Sequence, residues 1–165
     1  MKLAAMFTRF SALTLMVLAF GLVGPKTLAN AYTYELIVHG SDLVKNGRAA
    51  LLDGELEKAL GYFNAVLENG ASERQEASIH ADMCVAFYLM RDFPQALEHC
   101  NTSISLRPNV WLGYNNRGNV YFEWGQYELA RENYERGLRL SPKSSILLRN
   151  LTLVDKRLEN PVKEQ

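Results

Sequence analysis

The chain has 165 residues, 48% of them apolar and 22% charged, with 18 lysines and arginines against 18 aspartates and glutamates. That composition excludes a disordered or collagen-like chain and allows one compact domain or a short repeat array with a real core. With the formal charge at zero and no basic run, the electrostatic footprint of a nucleic-acid binder is missing.

Residues 1–31 contain no acidic side chain. Lys2 and Arg9 come first, followed by an apolar run from Phe10 to Val23 that is interrupted only by Ser11, Thr14 and Gly21 and stops at Gly24-Pro25. The run is shorter than the roughly 20 apolar residues that cross a bilayer comfortably. Ala29-Asn30-Ala31 supplies the small-x-small pattern that a signal peptidase reads. The sequence therefore predicts a secretory signal over 1–31, cleaved before Tyr32, and an exported protein that is periplasmic or secreted. The alternative is an uncleaved segment anchoring the domain to the outer face of a membrane. Tyr32 to His39 either extend the first helix of the domain or dock on it.

From residue 40 the chain repeats. At an offset of 34 residues, Phe87 falls over Tyr121, Phe93 over Tyr127, Ala96 over Ala130, Ile104 over Leu138 and Pro108 over Pro142. At an offset of 37, Gly47 falls over Cys84, Leu56 over Phe93, Ala59 over Ala96 and Phe63 over Cys100. The three extra residues fall in the polar stretch Asn69–Arg74, which predicts an enlarged loop. Apolar residues within each unit recur at three and four, so each unit is two helices. The break between them is written as Asp53-Gly54, Arg91-Asp92 and Gly125-Gln126. Pro94 sits where a first turn needs no N–H, and Pro108 and Pro142 stop the second helices. Beyond them, Leu147, Leu151, Val154 and Leu158 form one stripe, with Arg149, Asn150, Asp155, Lys156 and Glu159 off it. This predicts a capping helix over 145–159, followed by a tail over 160–165.

The units, 40–76, 77–110 and 111–144, resemble tetratricopeptide repeats (TPRs). The last, which begins at Trp111, carries Tyr114, Gly118, Tyr121, Ala130, Tyr134, Gly137 and Pro142 at signature positions, with Arg117 as its main departure. The middle one keeps Met83, Phe87, Ala96 and Pro108 but has His80, Cys84, Cys100 and Ser103 at four others. The resemblance implies an all-α, right-handed TPR solenoid of about three helix-turn-helix repeats closed by a capping helix. It also implies a non-enzymatic protein-protein interaction module without a cofactor, binding a peptide segment or partner helix in a concave groove lined by the first helix of each repeat.

Carried over residue by residue, that groove takes Val44, Lys45, Arg48 and Leu51 from the first unit. The second gives Ala81, Asp82, Val85 and Tyr88, and the third Leu112, Asn115, Asn116, Asn119 and Phe122. The three asparagines would satisfy a ligand's backbone while Tyr88 and Phe122 bury its apolar side chains, or else simply face water. Val44 and Leu112 replace two cations of the clamp by which family members hold a chaperone's C-terminal carboxylate, and Asp82 adds an opposing charge. That specificity is not expected.

Cys84 and Cys100 occupy positions that lie near each other in family members. They either close a disulfide, worth roughly 3 kcal/mol by the chain-entropy argument, or pack as two reduced side chains. With His80 they would make only a weak soft-metal set, and no metal site is assigned. No glycine-rich phosphate loop, His-Glu-x-x-His helix or nucleophile elbow is present, so no catalytic residue is assigned. The alternatives to peptide binding are a structural subunit of an envelope assembly, or a redox or metal protein built on Cys84 and Cys100.

Overall fold

The computed structural model describes residues 42–159, which lie within one compact unit. The expected signal over 1–31, the Tyr32–His39 stretch and the tail lie outside the described residues. Among the described residues seven helices follow one another: α1 (residues 42–52), α2 (Leu56–Glu68), α3 (Glu73–Leu89), α4 (Phe93–Leu106), α5 (Trp111–Glu123), α6 (Tyr127–Leu140) and α7 (Ser145–Glu159). They form three helix-turn-helix pairs, α1–α2, α3–α4 and α5–α6, with α7 packed on α6. Among the described residues no helix is long and apolar enough to cross a membrane.

The three hairpin turns share one construction. Gly54, Arg91 and Gly125 hold left-handed backbone with φ of 77°, 62° and 79°. The next residue's N–H then donates back to a carbonyl five positions earlier: Glu55 to Ala50 at 2.8 Å, Asp92 to Phe87 at 2.9 Å and Gln126 to Tyr121 at 2.8 Å. This Schellman closure satisfies carbonyls that the helix end leaves open. In the middle turn an arginine stands where glycine would be relaxed. Its guanidinium lies 5.2 Å from the Phe93 ring centre and 3.8 Å from Glu123. Asp92 then caps α4 by accepting from the Gln95 N–H at 3.2 Å, and Pro94 occupies its first turn. Pro108 and Pro142 directly follow the C-caps Arg107 and Ser141.

The stretch expected to be an enlarged loop differs. Only residues 69–72 lie outside helices. Ser72 accepts from the Gln75 N–H at 3.3 Å, and Glu73 and Glu76 follow in the first turn of α3. A hydroxyl cap and two carboxylates at the positive end of a helix favour starting it there. The extra residues therefore lengthen α3 to 17 residues, against 13 in α5. The unit boundary read at Ala77 lies inside that helix.

Each pair is closed at one point of near contact. A Cβ added at Gly47 would lie 2.6 Å from a ring carbon of Phe63, and one at Gly118 would lie 2.5 Å from a ring carbon of Tyr134. Glycine on the first helix thus lets an aromatic ring of the second lie against its backbone. In the middle pair the same two positions are Cys84 and Cys100. They are fully buried and joined as a disulfide with Cα atoms 5.2 Å apart. A covalent bond replaces the glycine-on-ring contact, and the reduced alternative falls away. Ala59, Ala96 and Ala130, one per pair, are completely buried beside these contacts.

On α7, Leu147 and Val154 are fully buried, and Leu151 and Leu158 pack with them against Ala130 and Tyr134 of α6. The cap is less polar on its other side than its charges suggest, because Ile146, Leu148 and Leu153 are exposed.

Candidate functional site

The first helices of the pairs, together with α7, supply most of the lining of three cavities, to which α4 and its C-cap add Ser103 and Arg107 and α6 adds Tyr134. The first, of about 680 Å³, has Val44, Lys45, Arg48 and Leu52 of α1 opposite Arg74, Gln75 and Ser78 of α3. The second, of about 300 Å³, adjoins it: Arg48, Arg74 and Ser78 border both, and Asp82, Arg107 and Leu112 complete it. The third, of about 260 Å³, is formed by Tyr88 of α3, Asn115, Asn119 and Phe122 of α5, and Arg149, Asn150 and Leu153 of α7. The first turn of α5, which opens beside the second cavity, has neither a side-chain cap nor an acidic residue.

Arg48 organises the α1–α3 contact. Its Nε donates to Asp82 Oδ2 at 2.7 Å and a terminal nitrogen donates to Ser78 Oγ at 2.8 Å. Burial pushes the Asp82 carboxyl above its ordinary pKa, and the Arg48 hydrogen bond and charge pull it back. Asp82 is therefore engaged with Arg48, and does not stand as the free opposing charge that the sequence suggests.

The asparagines are largely used internally. Asn115 Oδ1 accepts from Asn150 Nδ2 at 3.0 Å, and Asn116 Nδ2 donates to the Ala81 carbonyl at 3.4 Å. Asn119 Oδ1 accepts from the Tyr134 hydroxyl at 2.9 Å and from Asn150 Nδ2 at 3.3 Å. Asn115 and Asn116 are buried. Their polar atoms knit α5 to α3 and α7, because a buried amide without a partner costs more than its bond returns. Asn119 alone lines a cavity with an amide nitrogen that no described residue engages.

Of the other expected groove residues, Arg48 borders two cavities, and Tyr88 and Phe122 border the third. Leu51 packs against the core around Ala59 and Phe63, while its neighbour Leu52 faces the first cavity. Val85 is half-buried and lines none of these cavities.

Ile146, Arg149, Asn150 and Leu153 are part of the face and escaped the sequence reading. One more step of 34 residues would have found them, since it carries Leu112, Asn115, Asn116 and Asn119 onto those four positions. Arg74 and Arg107 gave no such signal. They stand at the start of one helix and the end of another, outside the first-helix pattern.

His80 does not point to a thiolate site. Its Nδ1 lies 2.9 Å from Nδ1 of His99, and the His99 ring stacks on Phe87 with centroids 5.1 Å apart. Burial holds both imidazoles below their ordinary pKa. Among the described residues no group of three or more potential metal ligands occurs.

Residues 111–144 match the tetratricopeptide repeat family. Over 91 residues the chain is 25% identical to the Hsp70-Hsp90 organizing protein of Triticum aestivum, covering 55% of this chain and 15% of that protein. Over 108 residues it is 28% identical to a TPR repeat-containing protein of Methanocaldococcus jannaschii, covering 61% of this chain and 19% of that one. The chain thus spans a small part of either relative. Among solved structures, the first TPR domain of human RPAP3 superposes with a TM-score of 0.66 at 20% identity, over 73% of this chain and 92% of that domain. The first TPR of Spaghetti (RPAP3) bound to the HSP90 peptide SRMEEVD gives 0.65 at 20% identity, over 73% and 93%. Residues 111–144 form a tetratricopeptide repeat, and the chain has the helical-array fold of solved TPR domains.

Proposed function

We propose that this chain is a binding module without catalytic activity of its own, and that the face built by α1, α3, α5 and α7 holds a peptide segment of another protein. The observation that carries the reading is the run of cavities along that face, with apolar Val44, Leu52, Leu112, Phe122 and Leu153 set among polar and charged side chains. A groove of this mixed kind can bury alternate side chains of a peptide while engaging its polar groups. The RPAP3 domain of the same fold, bound to a peptide, supports the mode of binding. It does not transfer that ligand, because Val44 and Leu112 stand where the chaperone clamp has cations.

The test is selection of a random displayed-peptide library on the full chain, followed by binding measurements with Leu112→Asp and Tyr88→Ala. Both positions border cavities, and Leu112 is exposed. The expected result is enrichment of peptides whose affinity drops at least about tenfold in either variant, corresponding to about 1.4 kcal/mol. No enrichment, or enriched peptides indifferent to both variants, contradicts the reading. In that case the structural-subunit alternative gains, for which the exposed Leu148 on α7 offers a stacking surface.

The same proposal places the protein outside the cytoplasm. Two features support it: the composition of residues 1–31, and a buried disulfide, which persists most readily in an oxidising compartment. N-terminal sequencing of the protein from its native cell tests this. A start at Tyr32 is expected, and an intact Met1 in a cytoplasmic fraction is the contrary result.

A further inference from the structure

Four cations, Lys45, Arg48, Arg74 and Arg107, line the first two cavities, against the one carboxylate of Asp82. Asp82 is already bonded to Arg48. Among the described residues Lys45, Arg74 and Arg107 make no ion pair. The chain as a whole carries equal numbers of basic and acidic side chains, so this concentration is a local feature of the face. It invites charge of the opposite sign.

The placement of the cations decides what kind of anion fits. Lys45 borders only the first cavity, Arg107 only the second, and Arg48 and Arg74 border both. They make a strip across two cavities and do not converge on one point. A single terminal carboxylate meets one end of such a strip. Side chains of an extended peptide that share a face recur about every 6.6 Å, so a short acidic run reaches several cations at once. Val44, Leu52 and Leu112 lie along the same strip and accept the apolar residues between them.

We infer that the occupant of this face is an internal acidic segment of another protein, held by its side-chain carboxylates over Lys45, Arg74 and Arg107. The inference rests on the peptide-binding reading above and adds the chemistry of the ligand. Its specificity differs from recognition of a chain terminus, because no free α-carboxylate is required.

The probe is a fluorescent peptide of about ten residues alternating glutamate with leucine and ending in an amide, titrated into the full chain by anisotropy. Alongside it run the same peptide with a free carboxylate, a version with lysine for every glutamate, and the protein variant Arg74→Glu, Arg107→Glu. Both arginines are exposed, so the variant keeps the wild-type circular dichroism. The glutamate peptide binds equally well as amide or acid, weakens steeply with added salt, and loses at least about tenfold in the charge-reversed variant. That variant prefers the lysine peptide.

Equal binding of the glutamate and lysine peptides by wild type, or no effect of the double reversal, overturns the inference. So does a requirement for the free carboxylate. If library-selected peptides bind the face while the acidic probe does not, the ligand chemistry fails and peptide binding stands. If no peptide of any kind binds, both fall. Self-association of the chain that disappears in the charge-reversed variant would replace the proposed partner by a second copy.

Discussion

Gly118→Ala tests the packing logic at the point where the two helices of the last repeat come closest. The new methyl would lie 2.5, 2.7 and 3.1 Å from three ring carbons of Tyr134. The ring is buried, and its hydroxyl is held by donation to Asn119 at 2.9 Å, so it cannot move aside without giving up that bond. Overpacking of this kind costs about 1–3 kcal/mol, and a lost buried hydrogen bond adds about 1. Exchanging glycine for alanine inside a helix returns about 1 kcal/mol. The net expectation is destabilisation by about 1–3 kcal/mol. Gly61→Ala is the internal control, because a Cβ there meets nothing within 4 Å on helix α2. The same substitution there stabilises by about 0.5–1 kcal/mol. Urea unfolding of both variants, followed by helical circular dichroism, gives the two free energies. If both shift in the same direction, close approach at Gly118 is not what the position requires.

Three other outcomes follow from the same structure. Replacing the disulfide by Cys84→Ala, Cys100→Ala lowers unfolding free energy by about 3 kcal/mol, the loop-entropy value for this 16-residue separation; a variant as stable as wild type in the same urea titration contradicts the constraint. Arg91→Gly relaxes left-handed backbone at φ 62° and gives up only the contacts that an exposed arginine side chain makes to Phe93 and Glu123, so the unfolding free energy rises by about 0.5–1 kcal/mol; a fall shows that those contacts outweigh the strain. Because burial depresses His80 and His99, the unfolded chain takes up more protons than the folded one below about pH 6.5. The stability they contribute is present above that pH and is lost as pH falls, partly offset by Glu76 and Glu98. Thermal melts between about pH 7 and 5 should show the loss, and His80→Gln, His99→Gln should flatten it.

The helical order was legible because packing wrote it into the chain at a fixed period. Glycine under an aromatic ring, alanine beside it and proline after the second helix cannot be exchanged freely, so they recur. The Cys84–Cys100 bond was approachable by the same alignment, since it occupies the glycine and aromatic positions of its neighbours. The start of α3 at Glu73, ahead of the unit boundary at Ala77, was not legible because a repeat offset says nothing about a local helix start. Ser72 and the glutamates after it carried that signal.

The asparagines could not be read from sequence at all. Whether Asn115 faces a ligand or a neighbour depends on Asn150, 35 residues away and brought to 3.0 Å only by the stacking of α7. The cationic strip was invisible for a similar reason, because Arg74 and Arg107 join Lys45 and Arg48 only once helix ends from different units meet.

Groove binding is tested most directly by backbone amide shifts of the isotopically labelled full chain, titrated with the tightest peptide from the library selection. It predicts perturbations concentrated at Arg48, Ser78, Leu112, Asn119 and Arg149, which border the cavities or face them. Perturbations gathered instead at Glu57, Gln95 and Glu132, on the second helices of the pairs, would contradict it.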